Sequence, residues 1–419
     1  MKQDTKDMEM SPARLGMTLE DLLREGAREL IEKAVGAELT ELLGSYENVK
    51  TLCGQQAVVR NGYLPEREVL TPVGPVSVRI PKVRDRAGGG VKFNSSLVPP
   101  YVRRSQSLSA ALPWLYLKGS STGEMGAALE VLVGEGAKGL SPAVVSRLKS
   151  QWGEEYAAWM KRDLSQERFV YWWADGIYCS LRSEDERLCL LVIIGVLPSG
   201  EKRFVAISDG FRESAESWKT LLRDLKDRGL TAGPRLAIGD GALGFWSALA
   251  EVYPDTQAQR CWVHKMVNVL DCLPKSLQAK AKSELQAIFM AETRKQAYTA
   301  FDRFIRTYEA KYPKAVEKLL RDREALLAFY DFPAEHWQHI RSTNPIESTF
   351  ATIRHRSNRT KNCVSRNTLL GLVYRLAREA EKGWQRIRGF ERIAAMDAGA
   401  VFKDGIAITG SNDDQQLAA

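Results

Sequence analysis

The order of strand and helix signals from residue 169 to about residue 264 constrains the fold more than any other feature of this sequence. Three β-prone segments come first, followed by a helix, a strand, a helix, a strand and a helix. The predicted strands are 169–181, 188–197, 203–208, 235–239 and 256–260. Short turns between the first three strands favour antiparallel pairing, whereas strands that follow a helical crossover are expected to be parallel to a neighbour. The segments therefore predict one mixed five-stranded sheet.

This order of elements is typical of an RNase H-like core, which puts the chain in the α/β class. The expected regions are an N-terminal helix at 1–50, a small β region at 51–105, a helix-turn-helix-like DNA-binding module at 106–155, the core at 165–273 and 341–392, an all-α insertion at 274–340 and a loose C-terminal tail at 393–419. The apolar stripe of the first helix suits packing on a neighbour or on another copy of the chain, so this helix is a candidate for oligomerisation.

The region 106–155 has the pattern of a short helix, a glycine-rich turn and a second helix. Ser141 and Pro142 form a favourable N-cap and N1 pair for that second helix, which carries Arg147 and Lys149 on its polar side. We expect these two side chains to contact DNA if the region is a helix-turn-helix. A generic three-helix packing unit would give the same pattern, and the residues leave both interpretations open.

Composition restricts the class of protein. The net charge of +8 and the pI of about 9.1 favour a nucleic acid or another anionic partner. The six cysteines are scattered and form no Cys-x2-Cys pair, which indicates a reduced intracellular chain rather than a disulfide scaffold. The N-terminus has no apolar stretch, and the longest apolar run, 188–197, is too short to cross a bilayer. We therefore expect a cytoplasmic protein without a membrane partner.

Two aspartates are expected to meet at the centre of the predicted sheet. Asp175 lies within an aromatic strand, where an unpaired carboxylate would be costly to bury, and Asp240 ends the fourth strand between two glycines. In the proposed strand order the first and fourth strands are parallel neighbours about 4.8 Å apart. Asp209, at the end of the third strand, would lie about 10 Å from the first strand because the second strand lies between them. This geometry favours Asp240 over Asp209 as the partner of Asp175.

A third carboxylate would complete a site for two divalent ions, which can activate a nucleophile and neutralise the leaving oxygen when a phosphodiester is cut. Glu347 is the candidate, at the start of the helix that follows the insertion. Asn344, Pro345 and Glu347 also fit a helix start with a capping box, so the residues leave a structural role equally open. Other acids in this part of the chain are less well placed: Glu335 precedes this helix, and Glu379 lies far down a later one.

Cys261 and His264 form a Cys-x2-His pair after the fifth strand. With His336 and His339 they have the composition of a zinc site, but the two halves are far apart in sequence and no other feature supports zinc. We expect instead that His264 packs or hydrogen-bonds near the candidate carboxylates, within reach of a phosphate.

The segment 341–392 carries twelve Lys or Arg residues against four acids. A solvated helix face is the ordinary interpretation of such a run. Because the run follows the candidate third ligand, we expect Arg354, Arg356, Arg359 and Lys361 to contact phosphates.

Four motifs resemble those of the Mutator-type transposases of bacterial insertion sequences: 171–178, 236–241, 259–264 and 336–347. The resemblance covers roughly residues 55 to 390, and the last motif is the most specific. The chain departs from the family pattern at 348–352, where Ser-Thr-Phe-Ala-Thr replaces a more polar, arginine-rich continuation.

The resemblance implies that Asp175, Asp240 and Glu347 are the DDE ligands and that Cys261 and His264 are the family's Cys/Asp-x2-His motif. It further implies Mg²⁺ as the working ion, with Mn²⁺ as a substitute, and a homo-oligomer that is at least a dimer. The N-terminal region would recognise terminal inverted repeats in double-stranded DNA, and the protein would act on target DNA in the bacterial nucleoid.

The mechanism expected is hydrolytic nicking at the element end, followed by attack of the freed 3′-OH on another phosphodiester. Asp175 would bridge both ions, and Asp240 and Glu347 would each complete one. Two other functions are compatible with the same core: a transposase-derived DNA-binding protein that no longer cuts, and a structure-specific nuclease. The three carboxylates argue against the first, and the N-terminal module and the large insertion argue against the second.

Overall fold

Five strands form one sheet in the spatial order β7-β6-β5-β8-β9. Their bounds are β5 Tyr171–Cys179, β6 Leu188–Val196, β7 Lys202–Gly210, β8 Leu236–Gly239 and β9 Gln257–Arg260. β5, β6 and β7 pair antiparallel, whereas β8 is parallel to both β5 and β9. The predicted mixed five-stranded sheet is therefore confirmed, and each described strand end lies within two residues of its predicted position.

The computed structural model describes residues 17–105, 107, 108, 111, 113, 115, 122–133, 141–179, 188–210, 213–241, 243–359 and 365–408. The chain divides into two units, residues 1–146 and residues 147–419.

The first unit begins with helix α1, Leu19–Ser45, whose N-cap Thr18 forms a capping box with Asp21. Two antiparallel strand pairs follow: β1 Val58–Tyr63 with β4 Pro81–Asp85, and β2 Arg67–Thr71 with β3 Gly74–Val78. Val69 of β2, Val76 and Val78 of β3 and Val83 of β4 belong to one apolar cluster with Val35 and Leu39 of α1. The alternation of apolar and polar residues explains this core, because successive side chains of a strand point to opposite faces.

Helices α2, Thr122–Val133, and α3, Pro142–Met160, occupy the predicted helix-turn-helix region. Ser141 accepts a hydrogen bond from the N–H of Val144 at 3.4 Å, as expected of an N-cap. The predicted turn at 134–140 lies outside the described residues. α3 extends beyond the predicted end of the module at residue 155 and crosses the boundary between the two units.

Helices cover both faces of the large sheet. On one face α4, Ala215–Asp227, and α5, Leu243–Val252, pack against Trp172 and its neighbours in one apolar cluster. The other face is covered by segments that come after the sheet in sequence; there Trp173 donates a hydrogen bond to the backbone oxygen of His339 at 3.1 Å. β6 is buried along its whole length, which explains its unbroken apolar sequence.

The described residues between 262 and 397 are mainly helical. The helices are α6 Trp262–Leu270, α7 Lys275–Phe289, α8 Arg294–Tyr308, α9 Pro313–Leu320, α10 Arg323–Leu326, α11 Trp337–Ile340, α12 Asn344–Arg359, α13 Arg366–Glu381 and α14 Arg392–Asp397. Two 3-10 helices, Ala328–Asp331 and Ala334–His336, precede α11. None of the described helices is both long and apolar enough to cross a membrane.

The expectation of a loose tail from residue 393 is wrong as far as Ile408. Strands β10, Val401–Lys403, and β11, Ile406–Ile408, form a hairpin with Phe402 buried. Asp404 accepts a hydrogen bond from the N–H of Arg294 at 2.7 Å, and Gly405 donates to the oxygen of Tyr330 at 3.2 Å. These contacts join segments about 100 residues apart, so the local composition did not reveal them. Residues 409–419 lie outside the described part.

Candidate functional site

Asp175 and Asp240 lie side by side because of the register between two parallel strands. Trp173 pairs with Ile238 and Ala174 pairs with Gly239, so each aspartate is the next residue on its strand. Burial and the neighbouring Asp240 raise the pKa of Asp175 to about 6. The pair is therefore a place where negative charge accumulates in a partly buried setting.

Asp209 is separated from this pair, as the strand order predicts. It lies on β7 opposite Leu190, whereas Asp175 lies on β5 opposite Val192. Its carboxylate is 3.9 Å from the guanidinium of Arg366. An entire strand, β6, lies between Asp209 and β5.

The backbone around Asp240 is held by two donors. The indole N–H of Trp246 and the guanidinium of Arg260 each donate to the Asp240 carbonyl at 2.8 Å. Arg260 also stacks on the Trp246 ring at 4.4 Å and pairs with Asp322 at 3.3 Å. This arrangement holds the backbone at the end of β8.

Glu347 lies in the first turn of α12, a helix that begins directly after Thr343. Its Oε1 accepts a hydrogen bond from the Thr343 hydroxyl at 3.2 Å and lies 3.5 Å from Nε2 of His264. α12 begins at Asn344 itself, one residue earlier than predicted, so Thr343 stands at the cap position. Among the hydrogen bonds of the described residues, Glu347 receives none from the N–H of Asn344, and the capping-box contact is not formed. Glu347 also contributes to the raised pKa of Asp175, as a smaller influence than burial and Asp240.

Cys261 and His264 lie between the aspartates and Glu347. The N–H of Cys261 donates to the oxygen of Gly239 at 2.8 Å, which ties the start of α6 to the end of β8. The Cys261 sulfur accepts hydrogen bonds from the N–H of Thr343 at 3.3 Å and from its hydroxyl at 3.4 Å. A hydrogen bond with Cys261, together with the charges of Asp175 and Glu347, raises the pKa of His264 to about 9. His264 is therefore an imidazolium at neutral pH.

The two histidines of the C-terminal motif are engaged elsewhere. Nδ1 of His336 lies 2.7 Å from the hydroxyl of Tyr171, and its Nε2 lies 2.8 Å from the oxygen of Gly389. Nε2 of His339 accepts the N–H of Arg388 at 3.0 Å. The zinc set of Cys261, His264, His336 and His339 is thus not assembled.

Sequence reasoning missed Glu213, which lies just before α4. Burial and the charges of Asp240 and Asp175 raise its pKa to about 7. A Cβ atom placed on Gly176 would lie 2.6 Å from Cδ of Glu213, so a larger residue there would require this carboxylate to move. A glycine within a strand of bulky residues was the available signal, because such a glycine often marks the close approach of another group.

The structure describes the side chains of only some of the predicted DNA-binding residues. Arg147 is exposed and Lys149 is half-buried on α3. Arg354, Arg356 and Arg359 belong to α12, but their side chains lie outside the described part of the structure, as does the whole of Lys361.

The model of the Mutator family of transposases matches residues 1–387. The transposase for insertion sequence element IST2 of Acidithiobacillus ferrooxidans is 56% identical over 293 residues, which cover 70% of this chain and 99% of that protein. The transposase for IS6120 of Mycolicibacterium smegmatis is 50% identical and covers 71% and 92%. The transposase for ISRM5 of Rhizobium meliloti is 29% identical and covers 87% and 89%.

Among solved structures, the Drosophila P element transposase strand transfer complex aligns with a TM-score of 0.26 and 10% identity, over 69% of this chain and 90% of the other. That score is too low to support a structural conclusion. The sequence matches, by contrast, extend over most of this chain and nearly all of each relative. The chain therefore belongs to the Mutator family of transposases.

Proposed function

We propose that this chain is a DDE transposase that binds the terminal inverted repeats of its element, nicks DNA by two-metal hydrolysis and joins the freed 3′-OH to another phosphodiester. Its membership of a transposase family supports the general activity. One observation carries the specific proposal: the register of β5 with β8 sets Asp175 beside Asp240, and the charge of Glu347 contributes to the raised pKa of Asp175.

The strand order supports an RNase H-like core for this activity. Three antiparallel strands are followed by two parallel ones, and the helices between β9 and α12 enter after the second aspartate. In this arrangement the two aspartates come from the centre of the sheet and the glutamate comes from a helix on its face. Each ligand is thus held by a regular element, which suits a site that must keep its geometry during the reaction.

The chemistry of the donors fits divalent ions that prefer oxygen. Asp175, Asp240 and Glu347 are carboxylates, the ligands that Mg²⁺ takes, with Mn²⁺ as a substitute. Burial and the neighbouring Asp240 raise the pKa of Asp175, as expected where two carboxylates share a partly buried place. Bound ions would supply a more nucleophilic water or hydroxyl and a neutralised leaving oxygen.

Other residues of the chain hold the site in place. Trp246 and Arg260 fix the backbone of Asp240, and Thr343 links Glu347 to Cys261. The imidazolium of His264 is partly exposed beside the carboxylates and is suited to donate a charge-assisted hydrogen bond to a DNA phosphate.

Recognition of DNA is assigned to the N-terminal region and to the basic segment. Arg147 and Lys149 on α3 would approach the terminal repeat, and Arg354, Arg356, Arg359 and Lys361 would contact phosphates near the carboxylates.

The exposed leucines of α1, Leu19, Leu22, Leu23 and Leu30, support an oligomer of at least two copies, which acts on DNA in the bacterial nucleoid.

Strand cleavage on labelled end DNA with Mg²⁺ tests the proposal. Asp175→Asn should reduce cleavage by on the order of 10³-fold or more, because a lost metal ligand removes several kcal/mol of transition-state stabilisation. Binding to the end DNA should persist. Asp209→Asn is the matched control: it changes the same residue type two strands away and should keep cleavage near the wild-type rate.

Full cleavage by Asp175→Asn would contradict the assignment of Asp175 as a metal ligand. The alternative, a transposase-derived DNA-binding protein that no longer cuts, predicts that the wild-type chain itself binds the end DNA without cleaving it in Mg²⁺ or Mn²⁺. The same assay therefore separates the two functions.

A further inference from the structure

Three ligand-type side chains meet beside the proposed Mg²⁺ ligands. The donor atoms of Cys261, His264 and Glu347 all lie within 4.8 Å of one another. The donors around one tetrahedral zinc ion are about 3.5 Å apart, given bond lengths of about 2.0 to 2.3 Å. Side-chain rotation over at most about 1 Å would therefore close the three donors around a single ion.

The fold holds these donors before any ion binds. Cys261 caps α6, and His264 follows one turn later on the same helix. The N–H of Trp262 donates to the oxygen of Arg341 at 2.9 Å, which joins α6 to the segment leading into α12. Thr343 then contacts all three donor residues, with its hydroxyl 3.4 Å from the Cys261 sulfur, 3.4 Å from Nδ1 of His264 and 3.2 Å from Oε1 of Glu347.

The cluster is open on one side. The Cys261 side chain is buried, whereas the side chains of His264 and Glu347 are 37% and 35% exposed. An ion can thus enter from the solvent side, and water can complete its coordination. Three protein ligands with one open position is the pattern of a zinc site that exchanges its fourth ligand.

We propose that Cys261, His264 and Glu347 bind a thiophilic divalent ion, Zn²⁺ being the physiological example. The incoming ion would displace the proton of His264 to solvent, and the thiolate, imidazole and carboxylate that result suit Zn²⁺, whereas Mg²⁺ selects oxygen ligands. This set shares only the pair Cys261 and His264 with the zinc set considered from the sequence, and Glu347 replaces the two distant histidines.

The consequence of zinc binding rests on the proposed function, because Glu347 is also the proposed third Mg²⁺ ligand. An ion held by Cys261 and His264 would draw the Glu347 carboxylate away from Asp175 and Asp240. Zinc would therefore oppose Mg²⁺-dependent cleavage by taking one ligand, without needing to displace Mg²⁺ from the aspartates.

Cobalt titration of the purified full-length chain tests the site without any cleavage. Co²⁺ bound to a thiolate gives a near-ultraviolet charge-transfer band, and Zn²⁺ should remove that band by displacing Co²⁺. Cys261→Ser should lack the band, and Glu347→Gln should keep it but bind Co²⁺ at least ~10-fold more weakly. Cys53→Ser, at an exposed cysteine of the first unit, is the control and should match the wild type.

Absence of the band in the wild type, its survival in Cys261→Ser, or unchanged cobalt affinity in Glu347→Gln would overturn the proposal. If circular dichroism shows that Cys261→Ser is unfolded, His264→Gln takes its place and should weaken cobalt binding to a similar degree. Zinc at concentrations that displace cobalt should also inhibit cleavage by the wild type; unaffected cleavage would overturn the competition for Glu347. Because the spectra need no DNA, an inactive chain could still bind cobalt, so failure of this site and failure of the transposase assignment are distinguishable.

Discussion

Single residues of the candidate site differ in how much of their role can be inferred from neighbouring sequence. Asp175 and Asp240 follow from strand order, because the periodicity of the strands is visible locally. Glu347 does not, since a helix cap and a metal ligand require the same residue at the same place. Thr343, one partner of Glu347, stands at the cap position, whereas the other, His264, lies on α6, so Glu347 also contacts a residue that a helix cap does not require.

Gly176 offers a test of the carboxylate that the sequence did not reveal. In Gly176→Ala the new methyl group would collide with Glu213, whose Cδ would lie 2.6 Å away. The carboxylate must move from its place beside Asp175 and Asp240, and we expect cleavage to fall about tenfold, equivalent to about 1.4 kcal/mol. Single-turnover cleavage of end DNA measures this change.

Gly153→Ala is the matched control for that substitution. A Cβ on Gly153 meets no heavy atom within 4 Å, and the residue lies inside helix α3. Alanine there should raise the unfolding free energy by up to about 1 kcal/mol and leave cleavage unchanged. Equal cleavage by both alanine variants would mean that the position of Glu213 is irrelevant to the reaction.

Elements that are distant in sequence are joined along the face of the sheet that carries the candidate site. Tyr171 of β5 contacts His336, and His339 of α11 accepts the N–H of Arg388, so the segment 334–340 connects the sheet to the chain after α13. Burial, followed by the charge of Lys202, lowers the pKa of His339 to about 4. This histidine is therefore neutral in the native state well below the pH at which it would be protonated in the unfolded chain.

The lowered pKa predicts a loss of stability in acid. Above about pH 6.5 His339 is neutral in both states, and as the pH falls toward 4 only the unfolded chain gains the proton, so the unfolding free energy decreases. His339→Gln cannot be protonated and should lack this part of the decrease, about 1 to 2 kcal/mol after allowance for partial exposure. Urea unfolding of both proteins at pH 7.5 and pH 4.5 measures the difference. The same pH dependence in both proteins would show that His339 is protonated in the native state.

At the scale of the whole molecule, we propose that the net charge provides general DNA affinity and that one helix provides sequence recognition. The net charge of +8 favours contact with any DNA. Sequence preference is assigned to one helix, α3, which carries Arg147 and Lys149. Lys280 and Lys282 are exposed basic residues on α7, remote from that helix in sequence, and they provide a charge-matched comparison.

We predict that Arg147→Ala with Lys149→Ala lowers the preference for end DNA over random DNA by about tenfold or more, since each base contact is worth about 1 to 3 kcal/mol. Lys280→Ala with Lys282→Ala removes the same charge and should weaken binding to both DNAs without changing their ratio. Competition binding at fixed salt gives both ratios. An equal effect of the two pairs would favour the generic three-helix packing unit over the helix-turn-helix.

Sequence alone determined the strand order of the large sheet and, through it, which two aspartates lie together. Strand and helix periodicities are local signals, and the direction of each connection follows from its length. Only the tertiary structure decided the set formed by Cys261, His264, Thr343 and Glu347, the position of Glu213 beside Gly176 and the docking of the hairpin near residue 404. Each of these depends on contacts between segments that are far apart in sequence, by up to 110 residues, and no local pattern predicts such contacts.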